Sequence, residues 1–155
     1  PSHRLLRATL AGLAGLRVRV IATWNGREPS PPIPVPANAV LVPWLSYSRT
    51  MPSCDLVVCH GGHGTLMRAL SSGCRVVVSP AGGDMGENAA RADWAGVGVR
   101  LPRRFCTPRG VRLAVRRALR LPREPAQAVA RWIAAHDARV RACAEIERWA
   151  SRGRP

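Results

Sequence analysis

Apolar residues recur along the chain in two alternating patterns. Short runs rich in valine predict five strands, over residues 17–23, 39–42, 55–59, 75–79 and 97–101. Apolar residues at helical spacing predict helices over residues 3–13, about 65–72, 87–95, 108–119 and 126–149. Strands that alternate with helices form parallel sheets with right-handed crossovers. The pattern therefore predicts an α/β fold, a single Rossmann-like three-layer domain with a parallel sheet.

Turn-forming residues mark the ends of several predicted elements. Gly73 and Gly96 each follow a predicted helix, and glycine is the common residue at that place because it adopts the left-handed conformation. Thr107 and Pro108 have the form of an N-cap followed by proline at the first helical position. These signals predict where three of the helices end or begin.

Two segments are predicted to be loops. The proline-rich stretch at 29–36 cannot join a helix or a sheet interior, because proline fixes its own backbone and lacks an N–H donor. Residues 43–53 also carry no clear period. Because one fold pattern resumes after each loop, we expect a single domain over residues 1–155.

Composition narrows the class of protein. No run approaches the roughly 18 apolar residues of a membrane span, and the basic, apolar start of the chain fits an amphipathic helix better than a signal peptide. The five cysteines are an odd number at irregular spacing, which argues against a disulfide framework. We therefore expect a cytoplasmic protein without a membrane span.

The net charge of +15 raises the question of a nucleic-acid partner, since a basic surface supplies non-specific affinity for phosphates. All the basic residues are arginines, and they are scattered from Arg4 to Arg154. This distribution fits a coding bias at least as well as selection for a polyanion. An arginine-driven polyanion binder stays as the minority hypothesis, and nucleic acid is not the expected partner.

The sequence His-Gly-Gly-His-Gly-Thr, from His60 to Thr65, joins a predicted strand to a predicted helix. Ligands of parallel sheets bind beyond the carboxyl ends of the strands, where loops meet helix N-termini. Glycines let backbone N–H groups approach a ligand, and the helix start adds free N–H groups and a positive dipole end. The turn predicts an anion site, against the alternative that its glycines serve only a tight connection.

A second segment, Pro80 to Gly98, follows the next predicted strand with a glycine-rich loop and sets Asp84 and Asn88 at the same sheet edge. A carboxylate beside an anion site is unfavourable unless it binds something neutral and rich in hydroxyls, such as a sugar. The two loops together therefore favour a ligand that carries both an anionic group and hydroxyl groups.

The sequence HGGHGT, the sequence PAGGDMGENAAR about twenty residues later and Trp44, sixteen residues before His60, form a combination. It resembles the donor-binding half of GT-B-fold family 1 glycosyltransferases, the UDP-glucuronosyl/glucosyltransferase-like group. The resemblance covers about residues 3–149. It implies a C-terminal, nucleotide-sugar-binding domain of the bacterial natural-product type, with a role in secondary metabolism.

The resemblance implies a role for each of nine residues. Those expected to hold the donor diphosphate are His60, Gly62, Gly64 and Thr65. Those expected at the base and ribose are Trp44 and Tyr47, and those expected at the donor sugar are Asp84, Met85 and Asn88. A nucleotide-diphosphate sugar is the expected substrate, with no metal and no cofactor.

Several residues depart from the family pattern. Tyr47 stands where the family usually has Gln, Arg68 where plant-type members have a ribose-binding Glu, and Met85 where many members have Gln. The choice between UDP and dTDP and the identity of the sugar therefore stay open. Glu87 fits a helix start, with a sugar contact as the alternative, and His63 fits a variable spacer.

A zinc site is a further alternative that the sequence disfavours. Its candidate ligands would be Cys54, Cys59, His60 and His63. Their spacing fits no common structural zinc site, and Cys59 falls within a predicted strand.

The resemblance also implies what the chain lacks. Inverting members take their catalytic base, a histidine, from an N-terminal acceptor domain, and the family's first strand precedes a helix like that at 3–13. We therefore expect no catalytic base in this chain and an acceptor-domain polypeptide as partner. The expected reaction is inverting transfer of a hexosyl group. The alternatives are a non-catalytic nucleotide-sugar-binding or auxiliary module and, less favoured by the two loops, a GT-B epimerase or a lipid-linked N-acetylglucosaminyltransferase.

Overall fold

The computed structural model describes residues 3–26 and 28–151. The strands are β1 (Val20–Thr23), β2 (Ala39–Val42), β3 (Leu56–Cys59), β4 (Arg75–Val78) and β5 (Gly98–Arg100). The helices are α1 (Arg4–Leu13), α2 (Tyr47–Thr50), α3 (His63–Ser71), α4 (Met85–Trp94), α5 (Pro108–Arg120), α6 (Glu124–Ala135) and α7 (Ala138–Ser151). Every strand pair is parallel, which confirms the predicted α/β class.

The strands form two sheets. β1 pairs with β2, with Val20 opposite Ala39, and the second sheet has the order β3-β4-β5, with Leu56 opposite Arg75. Within the described residues, the expected sheet is therefore interrupted between β1 and β3. The hydrophobic layer continues across the break, because Val20 of β1 and Leu56 of β3 pack against the same buried cluster.

β4 lies at the centre of the fold, and all four of its residues are buried. Side chains alternate between the two faces of a strand. Val77 packs on one face with Leu13 of α1 and Val111 of α5. Val76 and Val78 pack on the other face with residues of α3, α4 and α6. The sheet is thus the middle of three layers, and burial of each valine contributes about 1.5–3 kcal/mol.

Arg75, the first residue of β4, is buried although it is charged, with 5% of its surface exposed. Its Nη1 donates to the carbonyls of Leu119 at 2.8 Å and Leu121 at 3.0 Å, and its Nε donates to the carbonyl of Asp55 at 3.4 Å. Carbonyls at a helix C-terminus lack partners within the helix and carry partial negative charge. Arg75 satisfies them and joins α5 to β4 and to the segment before β3.

The glycine and proline signals at helix ends are confirmed. Gly73 and Gly96 follow α3 and α4 with φ of 72° and 68°. The residue after each glycine donates its N–H to the carbonyl five residues earlier at 3.1 Å, which is the Schellman motif. At the start of α5, Thr107 Oγ1 accepts a hydrogen bond from the N–H of Gly110 at 3.1 Å.

Several elements differ from the predictions. α3 begins at His63 and α4 begins at Met85, each two residues earlier than predicted. The expected loop at 43–53 contains α2 and a turn of 3-10 helix, Met51–Ser53. The single helix predicted over 126–149 is two helices, α6 and α7.

The break between α6 and α7 has a side-chain cause. His136 Nδ1 donates to the carbonyl of Trp132 at 2.8 Å, and the two rings stack with centroids 4.5 Å apart. In a continuous helix that carbonyl would accept from the backbone N–H of His136. The backbone N–H of His136 donates to Ile133 instead, at 3.2 Å, so the side chain replaces the backbone as the donor and the helix ends.

Candidate functional site

The candidate site begins where β3 ends. His60 is exposed, and its imidazole lies over Gly62, since a Cβ at position 62 would be 2.8 Å from His60 Nε2. Gly61 is buried with φ of 89°, and a Cβ there would be 2.6 Å from Val78 Cγ1. The turn therefore needs glycine at position 61, for its backbone and packing, and Gly62 leaves room for the exposed histidine ring.

α3 presents an uncapped N-terminus at the end of this turn. Gly62 is the N-cap residue, no side chain caps the helix, and the first N–H bonded back to Gly62 is that of Leu66, at 3.0 Å. The N–H groups of His63, Gly64 and Thr65 have no partner within the helix. A Cβ at Gly64 would meet no atom within 4 Å. Free donors, positive partial charge and open space together fit an anion.

The second loop lies against this turn. Asn88 Nδ2 donates to the carbonyl of Gly61 at 3.0 Å and to Asp84 Oδ2 at 3.3 Å. Asp84 is exposed and is the N-cap residue of α4. The structure thus brings together the residues predicted for the diphosphate and two of those predicted for the sugar.

Two further residues hold the second loop. A Cβ at Gly61 would lie 3.3 Å from the carbonyl oxygen of Met85 and 3.5 Å from its Cβ, so the start of α4 packs on the glycine turn. Arg103 Nη1 donates to the carbonyl of Ala81 at 3.3 Å. Sequence reasoning missed Arg103, although its place just after β5 puts it at the same sheet edge as the loop.

The two predicted aromatic residues lie on the β2 side of the fold. Trp44 follows β2 and is 68% exposed, so its ring is not pinned on the core. Tyr47 begins α2, is half-buried and packs against the cluster that contains Met51 and Leu66. α2 packs against α3, which places Tyr47 beside the helix that follows the glycine turn.

The remaining polar residues near the site have local partners or are exposed. Glu87 Oε1 accepts from Arg91 Nε at 3.1 Å in an exposed pair along α4. His63 and Arg68 are exposed on α3. The site is therefore an open edge whose charged side chains mostly face solvent.

Cys59 is a buried thiol at the end of β3. Burial raises its pKa, and a backbone hydrogen bond from Gly61 partly opposes that rise. A neutral buried thiol is a poor metal ligand and a poor nucleophile. In the part of the chain that the structure describes, no group of three or more His, Cys, Asp or Glu residues is placed to hold a metal ion.

The chain matches a known protein family over most of its length. Residues 7–147 match the family described as erythromycin biosynthesis protein CIII-like, C-terminal domain. The chain belongs to this family. The match confirms the resemblance to family 1 GT-B glycosyltransferases.

Curated relatives of the chain are named as glycosyltransferases or synthases. It is 36% identical over 122 residues to 4'-demethylrebeccamycin synthase of Lentzea aerocolonigenes, covering 79% of this chain and 28% of that protein. It is 30% identical over 110 residues to 3-alpha-mycarosylerythronolide B desosaminyl transferase of Saccharopolyspora erythraea, covering 71% of this chain and 26% of that protein. The chain therefore spans between a quarter and a third of the length of these relatives.

Solved structures show the same fold. The calicheamicin glycosyltransferase CalG4 matches 100% of this chain and 40% of its own, with a TM-score of 0.86 and 23% identity. The glycosyltransferase VinC, solved in complex with dTDP, matches 96% of this chain and 38% of its own, with a TM-score of 0.84 and 25% identity. These matches confirm the predicted GT-B assignment. Among the described residues, no helix is both long and apolar enough to cross a bilayer.

Proposed function

We propose that this chain binds a nucleotide-diphosphate hexose and is the donor half of an inverting hexosyltransferase. The observation that carries this proposal is the hydrogen-bonded junction of the two loops. It sets an uncapped helix N-terminus beside an exposed carboxylate, through Asn88 and the carbonyl of Gly61. A donor sugar nucleotide has a diphosphate for the first and hydroxyl groups for the second.

The diphosphate would lie at the N-terminus of α3. The N–H groups of Gly64 and Thr65 and the dipole of the helix would bind its oxygens, and the space beside Gly64 would admit them. His60 would donate from its imidazole, and the Thr65 hydroxyl would donate to the same group. Gly62 leaves room for the His60 ring.

The ends of the donor would extend from the diphosphate in two directions. The nucleoside would reach the β2 side, where exposed Trp44 offers a face for stacking and Tyr47 lies beside α3. The hexose would reach the second loop, where Asp84 accepts hydrogen bonds from its hydroxyls and Met85 and Asn88 form the adjoining wall. The dTDP in the VinC structure supports a thymidine or uridine diphosphate, with dTDP as the first choice.

The proposed reaction is direct displacement at the anomeric carbon. An acceptor hydroxyl oxygen forms a bond to that carbon, and the bond from the carbon to the β-phosphate oxygen breaks with its electron pair left on the diphosphate. The donors at the start of α3 stabilise this developing charge. The hydroxyl proton passes to a base, for which we propose a histidine of an acceptor domain outside this chain.

The break between the two sheets supports a further strand beside β1. A strand joined to the start of α1 by a right-handed crossover would neighbour β1 at the edge that β2 does not occupy. We propose that the family's first strand occupies that edge and that an acceptor domain completes the enzyme, so the isolated chain should bind donor without transferring sugar.

The test is calorimetric titration of the purified chain with UDP, dTDP, UDP-glucose and dTDP-glucose. We expect at least one to bind, and His60→Ala to weaken that binding about tenfold, the loss of one hydrogen bond to a charged group. The control is Arg116→Ala, which removes an exposed cationic side chain from α5, on the opposite face of the sheet from α3, and should leave binding unchanged. A folded chain that binds none of the four ligands would overturn the proposal.

A further inference from the structure

Asn88 uses both hydrogens of its side-chain amide within the protein. One is donated to the carbonyl of Gly61 at 3.0 Å and the other to Asp84 Oδ2 at 3.3 Å. An asparagine amide nitrogen has two donors, so neither is left for a ligand. The Nδ2 atom of Asn88 therefore connects two loops of the protein and is not itself a donor to the sugar.

One end of this connection is fixed. Gly61 is buried between Val78 and the first residue of α4, and its φ of 89° holds its carbonyl in one direction. The other end is free to move without the amide, because the Asp84 side chain is exposed and does not cap α4. Asn88 therefore positions the carboxylate relative to the turn, and not the reverse.

The bond from Asn88 also gives the two oxygens of the Asp84 carboxylate different roles. Oδ2 accepts from Asn88, which leaves Oδ1 to accept from a ligand hydroxyl. The bond to a neutral amide therefore limits the orientations that the carboxylate can adopt.

We propose that Asn88 is a positioning residue that orients Asp84 for a donor-sugar hydroxyl, and that it contributes to binding of the sugar but not of the nucleotide diphosphate. This inference rests on the proposed function. It gives Asn88 a different part from the direct sugar contact implied by the family resemblance.

The experiment measures four affinities by calorimetry, those of the unmodified chain and of Asn88→Ala for dTDP and for dTDP-glucose. We expect the Kd of dTDP to change less than about twofold and the Kd of dTDP-glucose to rise about tenfold, the equivalent of one charge-assisted hydrogen bond. If UDP binds more tightly, UDP and UDP-glucose replace this pair. Arg91→Gln is the control, since it alters an exposed residue on the same helix, and it should leave the ratio of the two Kd values unchanged.

A double-mutant cycle shows whether Asn88 acts through Asp84. Asp84→Asn alone should weaken dTDP-glucose binding, and adding Asn88→Ala should weaken it little further, because the second change removes a group that acts only on the first. Additive losses in the double variant would overturn the inference. Asn88→Ser replaces Asn88→Ala if the alanine variant fails a circular-dichroism check, because its shorter side chain cannot reach both acceptors.

Other outcomes separate this inference from the proposed function. An equal loss for dTDP and dTDP-glucose in Asn88→Ala would mean that Asn88 only supports the turn, and the inference would fail while donor binding stands. No change for either ligand would also overturn the inference while donor binding stands, because Asn88 would then contribute nothing to binding of the sugar. No binding of either nucleotide or sugar nucleotide by the folded, unmodified chain would overturn the proposed function and this inference together.

Discussion

Gly61 lies so close to Val78 that a single added methyl group would place its carbon 2.6 Å from Val78 Cγ1. The same carbon would be 3.3 Å from the carbonyl oxygen of Met85, and the backbone φ of 89° disfavours any other residue. We expect Gly61→Ala to lower the free energy of unfolding by about 2–4 kcal/mol, the sum of backbone strain and overpacking. Urea unfolding followed by circular dichroism measures this. An unchanged midpoint would mean that the turn is looser than the structure shows.

Gly64 offers the opposite case within the same turn. A Cβ there meets no protein atom within 4 Å, and alanine favours the helix over glycine by up to about 1 kcal/mol. We expect Gly64→Ala to be at least as stable as the parent but to bind dTDP more weakly, because the methyl group occupies the space proposed for the diphosphate. Unfolding and calorimetry on one preparation compare the two effects. Full affinity in a stable Gly64→Ala variant would place the diphosphate elsewhere.

Arg75→Met should destabilise the fold by about 2–4 kcal/mol. The change leaves the carbonyls of Leu119 and Leu121 buried without their donor, which costs more than the bonds themselves contribute. The comparison is Arg117→Met, an exposed arginine in the last turn of α5, for which we expect less than about 1 kcal/mol. Similar losses in the two variants would show that the buried position of Arg75 has no special role.

We expect ionisation of the buried Cys74 thiol to lower the free energy of unfolding at high pH. Burial raises the pKa of this thiol from 9.0 to about 11, and the nearby Cys54 adds to the rise. The folded state holds the proton more tightly than the unfolded state, so this stability is present below pH 9 and is lost as the pH rises through about 11. Urea midpoints measured across that range should decline less steeply for Cys74→Ala than for the parent.

The control for this pH dependence is Cys143→Ala, since Cys143 is exposed on α7. Its midpoints should decline as steeply as those of the parent. Parallel curves for the parent and Cys74→Ala would remove Cys74 as a cause. Thiol reagents offer a second view, because Cys143 should react at pH 8 well before buried Cys74.

Much of the fold follows from short-range signals in the sequence. The valine runs predict all five strands, and Val76, Val77 and Val78 of β4 show the reason, because a strand covered on both faces buries successive apolar residues. Gly73 and Gly96 mark the ends of α3 and α4, because only glycine adopts their left-handed backbone without strain. The predicted junction of the two loops follows from parallel topology alone.

Other features depend on individual side-chain and packing contacts, which the pattern of apolar and polar residues does not reveal. The sequence pattern predicts the starts of α3 and α4 two residues too late, because glycine in the first turn of a helix resembles a loop residue. The break at His136 depends on one side chain that takes the carbonyl of Trp132. The two bonds of Asn88 depend on how α4 packs on Gly61, and the gap between β1 and β3 depends on pairing between distant segments.

The two ends of α3 and of α4 have different roles, and the glycine motifs lie at the C-terminal ends. Each helix returns to the next strand through its glycine motif at one end and meets the candidate site at the other. Changes in the loop residues 82–85 leave those returns untouched. This loop can therefore be varied without disturbing either return, except at Gly83, whose φ of 57° favours glycine, and at Asp84, which accepts the bond from Asn88.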